Sequence, residues 1–241
     1  TEEFPRDEAP DFRREGDRDV RVALATAANA PGIAATGTWR IFDDRESVLL
    51  RGGPGDMWTL ERRAGQLRAV RSDGFAGAWR PAPLVLRVDR DDDQVLFNGR
   101  RYRGVLRFFP ADDGAGVMVV NVLGGEEYLR GVVALEIGGS RSAAEQAAVQ
   151  AQAVAARSYT FVRLAAAGGT AARHANYDVM AGTSDQVYGG VDGERPFADG
   201  AVAGTAGLVL KYGGRTVDAP YSASCGGETA TPAIRVPGQA A

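Results

Sequence analysis

The stretch "SRSAAEQAAVQAQAVAARSYTFVRLAAAGG", residues 140–169, decides the class of the fold. Ser142 and Glu145 stand at the spacing of a capping box, in which each side chain satisfies a free backbone amide of the other at a helix start. Residues of high helix propensity follow for about twenty positions, and Gly168 with Gly169 supplies a stop. Ala147, Ala151, Val154, Ser158, Phe161 and Val162 recur at three- and four-residue steps, so this face is expected to be buried. Its small side chains suit close packing against a sheet or a second helix.

Upstream the pattern is different. "VRVALAT", "GTWRIFD", "SVLLRGG", "MWTLERR", "PLVLRVDR", "QVLFNGRRYRGVLRFFP" and "VMVVNVL" are short apolar runs broken by turn residues, the mark of an antiparallel β region. Asn98 and Gly99 both tolerate positive φ, which predicts a two-residue hairpin turn between "VLF" and "RRY". Downstream, the long loop "TAARHANYDVMAGTSDQVYGGVDGERPFADG", residues 170–200, leads into a short helical pattern at 197–206. Then "GLVLKYGGRTVDAPYSASCGG" reads as two strands turning at Gly213 and Gly214. In a strand, Ser222 and Ser224 share one face and Tyr221 takes the other.

The order of β-rich region, long helix, loop and hairpin is that of an α+β fold. Residues 1–19 are charged, contain proline and lack an apolar period, so they read as a leader or linker. Residues 20–120 form the β-rich region and residues 121–241 a mixed catalytic domain with the Ala-rich helix and the C-terminal hairpin.

The 241 residues, 44% of them apolar, are enough for a substantial core. The net charge is −3, and arginines are interleaved with acids along the chain, which argues against a nucleic-acid partner. Lys211 is the only lysine among 28 basic residues. Cys225 is the only cysteine, which excludes an internal disulfide and a cysteine zinc cage. No apolar run reaches the ~18 residues of a transmembrane helix. The chain starts at Thr1, so a signal peptide or anchor is expected to have been removed.

One carboxylate stands out. In "EEYLRGVVALEIGG", residues 126–139, Glu136 follows Val132, Val133, Ala134 and Leu135 and precedes Ile137. If this stretch is helical, Tyr128, Leu129, Val132, Val133 and Leu135 cover one broad side and Glu136 continues the 129, 132, 133, 136 stripe. Its carboxyl then lies at the core edge or on the floor of a cleft, where desolvation favours the proton. The alternative is an exposed Glu in a last helical turn. Gly138 and Gly139 either admit a ligand or cap the helix.

Other candidates are weaker. His174 lies in a polar loop without a Gly-x-Ser-x-Gly or cysteine peptidase motif, so it reads as a surface histidine. Arg157, on the Ala-rich helix, can fork to a substrate acid or pair structurally. "SDQVYGG" and "YSASCGG" join hydroxyl or amide side chains and an aromatic to paired glycines, a composition that suits carbohydrate and is also common in loops.

Taken together, "EEYLRGVVALEI", "EQAAVQAQAVAARSYTFVR", "QVYGG" and "GLVLKYGGRTVDAPYSASCGGET" resemble, in order over about residues 120–230, the stage II sporulation protein D family, the SpoIID/LytB domain. The resemblance implies a bacterial cell-wall lytic transglycosylase that cleaves peptidoglycan glycan strands between N-acetylmuramic acid and N-acetylglucosamine. It leaves a 1,6-anhydro end. Glu136 falls at the position of the catalytic acid, and its apolar setting is expected to keep it protonated near neutral pH. Arg157, Gln186, Tyr188, Tyr221, Ser222 and Ser224 are expected to line the glycan cleft, with Arg157 either facing the lactyl carboxylate or holding the site from behind.

Other members of the family stimulate a partner amidase, so a non-catalytic glycan-binding protein with a cell-wall amidase as partner is the second reading. Where the family has "EMP", this chain has Glu136, Ile137 and Gly138. The stretch "DVMAGTSDQVY" lacks the Cys and His with which some members hold zinc, so no metal and no cofactor are expected. The chain ends at Ala241, short of where members continue, which suggests a shortened catalytic domain. The expected location is outside the cytoplasm, in the envelope or secreted.

Overall fold

The computed structural model describes residues 11–14, 16–167 and 174–222. It is α+β, with a sheet-rich first half, helices in the second half and a strand hairpin near residue 213. A seven-stranded sheet runs in the order Val179–Met180, Asp19–Ala28, Val117–Gly124, Val105–Pro110, Leu84–Val88, Trp39–Phe42 and Val48–Gly52. Only Val179–Met180 joins it in parallel. A six-stranded sheet has the order Arg100–Tyr102, Val95–Phe97, Gly32–Ala35, Trp58–Arg63, Gln66–Arg71 and Arg80–Pro81.

Each apolar run singled out in the sequence contains a strand, and the reason is visible in the alternation. Val105–Pro110 buries Leu106 and Phe108 while Arg107 between them stays half-exposed. Asn98 and Gly99 take φ of 48° and 80° and join Val95–Phe97 to Arg100–Tyr102, as their left-handed tolerance predicts. Gly32–Ala35 and Gln66–Arg71 had no comparable signal: the first is almost all small residues, and the second buries only Leu67 and Ala69 among polar neighbours.

The two sheets share one core. Ile41, Leu86 and Leu106 from the larger sheet and Ile33, Leu60 and Leu67 from the smaller belong to a single buried cluster. Trp39 and Trp58 bridge it edge to face, with ring centroids 6.0 Å apart. The same cluster continues into the helical half through Tyr128, Val132, Val149 and Ala153.

Three helices complete the described chain: α1 (Gly125–Ile137), α2 (Gln146–Ala167) and α3 (Pro196–Gly204). They pack on one another, and α1 leaves the end of Val117–Gly124 without an intervening loop. That continuity fixes the helix, and with it Glu136, relative to the central strand.

Four expectations are corrected. Residues 11–14, read as leader, form a strand whose register sets Asp11 opposite Lys211 and Arg14 opposite Leu208. The boundary at 120/121 falls inside Val117–Gly124, which pairs on both sides. On α2 the residues of the foreseen stripe at Ala147 and Ala151 are exposed; Val149, Ala153 and Ala156 are buried instead. Alanine on every side of a helix leaves the period ambiguous; further along the stripe Val154, Ser158 and Phe161 are buried as foreseen. Finally, the second strand of the hairpin is limited to Arg215–Thr216, so Tyr221 and Ser222 lie in irregular chain, and Ser224 is outside the described residues.

Candidate active site

The site is built from the end of α1. Tyr128, Leu129, Val132 and Val133 are fully buried, and Glu136, the next step of that stripe, is half-buried. Leu135, expected on the same side, is exposed. Gly138 and Gly139 take φ of 69° and 64°, and the Gly138 N–H donates to the Ala134 carbonyl at 3.2 Å, so the pair ends the helix. Arg141 turns back to donate to the Ile137 carbonyl and pairs with Glu145 at 3.1 Å, bringing a cation to the negative end of the helix.

The Glu136 carboxylate is gripped on one oxygen. Its Oε1 accepts the Val187 backbone N–H at 2.5 Å. Among the described residues its other oxygen takes no hydrogen bond. A half-buried carboxylate with one oxygen fixed and one open to a ligand has the geometry required of a proton donor and acceptor.

Each residue of "QVYGG" has its own structural task. Gln186 is fully buried, and all four of its hydrogen-bonding positions are met. Oε1 accepts the hydroxyls of Tyr128 at 3.0 Å and Thr160 at 2.9 Å. Nε2 donates to the Ala156 carbonyl at 3.2 Å and to the Tyr221 hydroxyl at 3.0 Å. Val187 holds Glu136, as above. Tyr188 packs between Tyr128, at 5.0 Å, and Tyr102, at 5.9 Å, and donates to Asn121 Oδ1 at 2.8 Å.

The Gly189 N–H donates to the Gly131 carbonyl at 3.0 Å, and Gly190 takes a φ of 59° against the Arg101 carbonyl, where a Cβ would sit 2.4 Å from that oxygen. The glycines thus serve close packing of this loop, Gly189 on α1 and Gly190 on the strand Arg100–Tyr102.

Asp185, preceding the motif, accepts the Tyr159 hydroxyl at 2.9 Å and the Met180 N–H at 2.9 Å. Tyr159 in turn carries the Arg163 guanidinium 3.7 Å above its ring. Tyr221 is half-buried beside this group, 6.5 Å from Tyr159 between ring centroids. Burial, reinforced by the nearby Glu136 charge, pushes the Tyr221 phenol well above its ordinary range, so it remains a hydrogen-bond donor.

The structure therefore divides the foreseen cleft residues. Glu136 and Tyr221 are held by the consecutive residues Val187 and Gln186, and Ser222 lies exposed next to Tyr221. Gln186 and Tyr188 do not line a cleft, because both are buried with their polar atoms committed to the protein. Nor does Arg157, whose side chain has no exposure. It forks to Glu126 with two contacts of 2.8 Å and donates to the carbonyls of Leu208 at 3.0 Å and Val202 at 3.4 Å. It holds the site from behind.

His174 bonds to Asp112 and Asn176, and to no Ser, Thr or Cys among the described residues. Its Nδ1 accepts the Asn176 N–H at 3.0 Å, so Nε2 carries the proton and meets Asp112 at 2.8 Å. Sequence reasoning missed Glu126, whose partner lies 31 positions away, and the Val187 amide, since a backbone donor leaves no trace in residue type.

Residues 113–212 match the family described as Stage II sporulation protein, SpoIID. This segment is a SpoIID domain. It begins just before Val117–Gly124 and includes Glu136, Arg157 and the whole of "QVYGG". The strand Asp19–Ala28, which pairs with Val117–Gly124, lies outside the matched SpoIID segment. An uncharacterized protein of Brachyspira hyodysenteriae is 34% identical over 145 residues, 59% of this chain and 36% of that protein. The chain thus spans about a third of the length of the curated relative it matches. No solved structure matches it.

Proposed function

We propose that this chain is a lytic transglycosylase acting on the glycan strands of peptidoglycan, with Glu136 as its only acid and base. The SpoIID domain supports a cell-wall-related function. The observation that carries the reading is the state of Glu136: half-buried at a helix end, one oxygen anchored by the Val187 amide, beside a phenol and an open glycine pair.

The chemistry needs one carboxyl group. Glu136 gives its proton to the oxygen linking N-acetylmuramic acid to N-acetylglucosamine, and the bond from that oxygen to the muramic C1 breaks. The muramic C6 hydroxyl oxygen then bonds to C1, and its proton passes to the Glu136 carboxylate. The acid is regenerated, no water is consumed, and the product carries a 1,6-anhydro ring. Anchoring Oε1 leaves Oε2 as the oxygen that exchanges the proton in both steps. A peptidoglycan substrate also locates the protein outside the cytoplasm, in the envelope or secreted.

The test is mass spectrometry of peptide-free glycan strands after incubation with the wild type and with Glu136→Gln. Fragments ending in 1,6-anhydro-muramic acid are expected from the wild type only, with turnover at least ~100-fold lower in the variant. Binding of the strands without cleavage by either form would replace the enzyme with a glycan-binding partner of a cell-wall amidase.

A further inference from the structure

The orientation of the Gln186 amide can be assigned, and it determines what Tyr221 does. The Ala156 carbonyl can only accept, so Nε2 must face it, at 3.2 Å. Oε1 then faces Tyr128, which has a hydroxyl hydrogen to give, and Thr160, whose one hydrogen is shared between Oε1 and the Ala156 carbonyl, each at 2.9 Å. The remaining Nε2 hydrogen points at the Tyr221 oxygen, at 3.0 Å. Tyr221 is therefore an acceptor toward the protein interior. Its own hydrogen has to be donated elsewhere.

The neighbouring residue in sequence closes the argument. The Val187 N–H holds Glu136 Oε1 while the Gln186 side chain holds Tyr221, so two consecutive residues anchor the carboxylate and the phenol. Tyr221 is half-buried, and Ser222 after it is exposed, so the phenol stands at the boundary between the packed interior and solvent.

We propose that Gln186 is a positioning residue that fixes Tyr221 as a hydrogen-bond donor to a glycan oxygen held beside the Glu136 carboxylate. This deepens the transglycosylase reading and rests on it. Gln186 itself touches no substrate. It acts by presenting a donor to the phenol, so the Tyr221 O–H cannot be given to Gln186 and is left for another acceptor.

The experiment is a double-mutant cycle of Gln186→Met and Tyr221→Phe, with kcat and KM on peptide-free glycan strands and with strand binding measured in a Glu136→Gln background. Thermal unfolding of every variant sets the temperature at which all are folded. Each single change is expected to lower kcat/KM or affinity by roughly threefold to tenfold, the worth of one hydrogen bond, and the double variant to be no worse than the singles. Losses that multiply in the double variant would make Gln186 a structural residue only and overturn the proposal, as would a Tyr221→Phe variant indistinguishable from the wild type.

Gln186→Glu is the second variant, used if the Met variant does not fold. Its carboxylate accepts where the amide donated and turns the phenol inward, so the same loss is expected. Binding without cleavage by the wild type removes the transglycosylase reading, and the cycle read on affinity then decides this proposal by itself. No strand binding at all overturns both.

Discussion

Arg157 shows how far one residue can be read from its type alone. A guanidinium among alanines signals a fork to an oxyanion, and the structure supplies that oxyanion from the protein: Glu126, in the first turn of α1. The pair links α1 to α2, and the contact to the Leu208 carbonyl extends the link to the hairpin. Arg157→Met removes four donated hydrogen bonds and leaves Glu126 without its cation. Because Glu126 keeps some contact with water, its side chain being 25% exposed, we expect a loss of about 3 kcal/mol, the lower end for a broken buried pair. Urea unfolding followed by circular dichroism measures it. Arg157→Lys is expected to recover little, since a single ammonium cannot reproduce the fork. Glu136, by contrast, was legible as an exception within an apolar stripe, whereas the donor that fixes it was not, because Val187 acts through its backbone.

At the scale of elements, the capping and hairpin-turn signals, which depend on neighbours in sequence, were read correctly. The capping box at the start of α2 is present: the Ser142 N–H and hydroxyl both donate to Glu145 Oε2, at 3.0 and 2.9 Å. The Ser142 backbone contact, the hydroxyl and Arg141 hold the Glu145 carboxyl below its ordinary value of 4.5. A lowered folded pKa means that this contribution is complete above pH 4.5 and fades as pH falls through the folded value. The stability advantage of the wild type over Glu145→Gln is therefore expected at neutral pH and to shrink as pH drops below that point, as pH-dependent thermal melts would show.

Rules that depend on a distant partner were not legible. At Gly131 a Cβ would lie 2.6 Å from the ring of Tyr188, which is fixed by its neighbouring rings and Asn121, and nothing near it in sequence signals that contact. For Gly131→Ala the overpacking cost of roughly 1–3 kcal/mol opposes about 1 kcal/mol gained in helix propensity. We expect net destabilisation and a Tm lower by a few degrees. The Ala-rich face of α2 was misread at Ala147 and Ala151 for a related reason: which side of an alanine helix is buried is set by what packs on it.

At the scale of the molecule, the change in sequence character near residue 120 suggested two units, and the structure joins them through one strand. Val117–Gly124 pairs with Asp19–Ala28 on one side and Val105–Pro110 on the other, and leads straight into α1. Sequence statistics see the change from β to α but not the pairing across it, because partners some 100 positions apart leave no local period. The SpoIID segment 113–212 therefore carries Glu136 and the Val187 amide that anchors it, but neither neighbour of its own first strand. Produced alone, it would expose Val117, Val119 and Leu123, all buried in the whole chain, together with unpaired strand edges. We expect that fragment, and likewise residues 121–241, to lack a cooperative thermal transition and dispersed amide resonances, whereas residues 11–222 retain both. A cooperatively folded 113–212 fragment would show that the β-rich half is an attachment to the site. Its failure to fold would make that half the frame on which α1 and Glu136 are mounted.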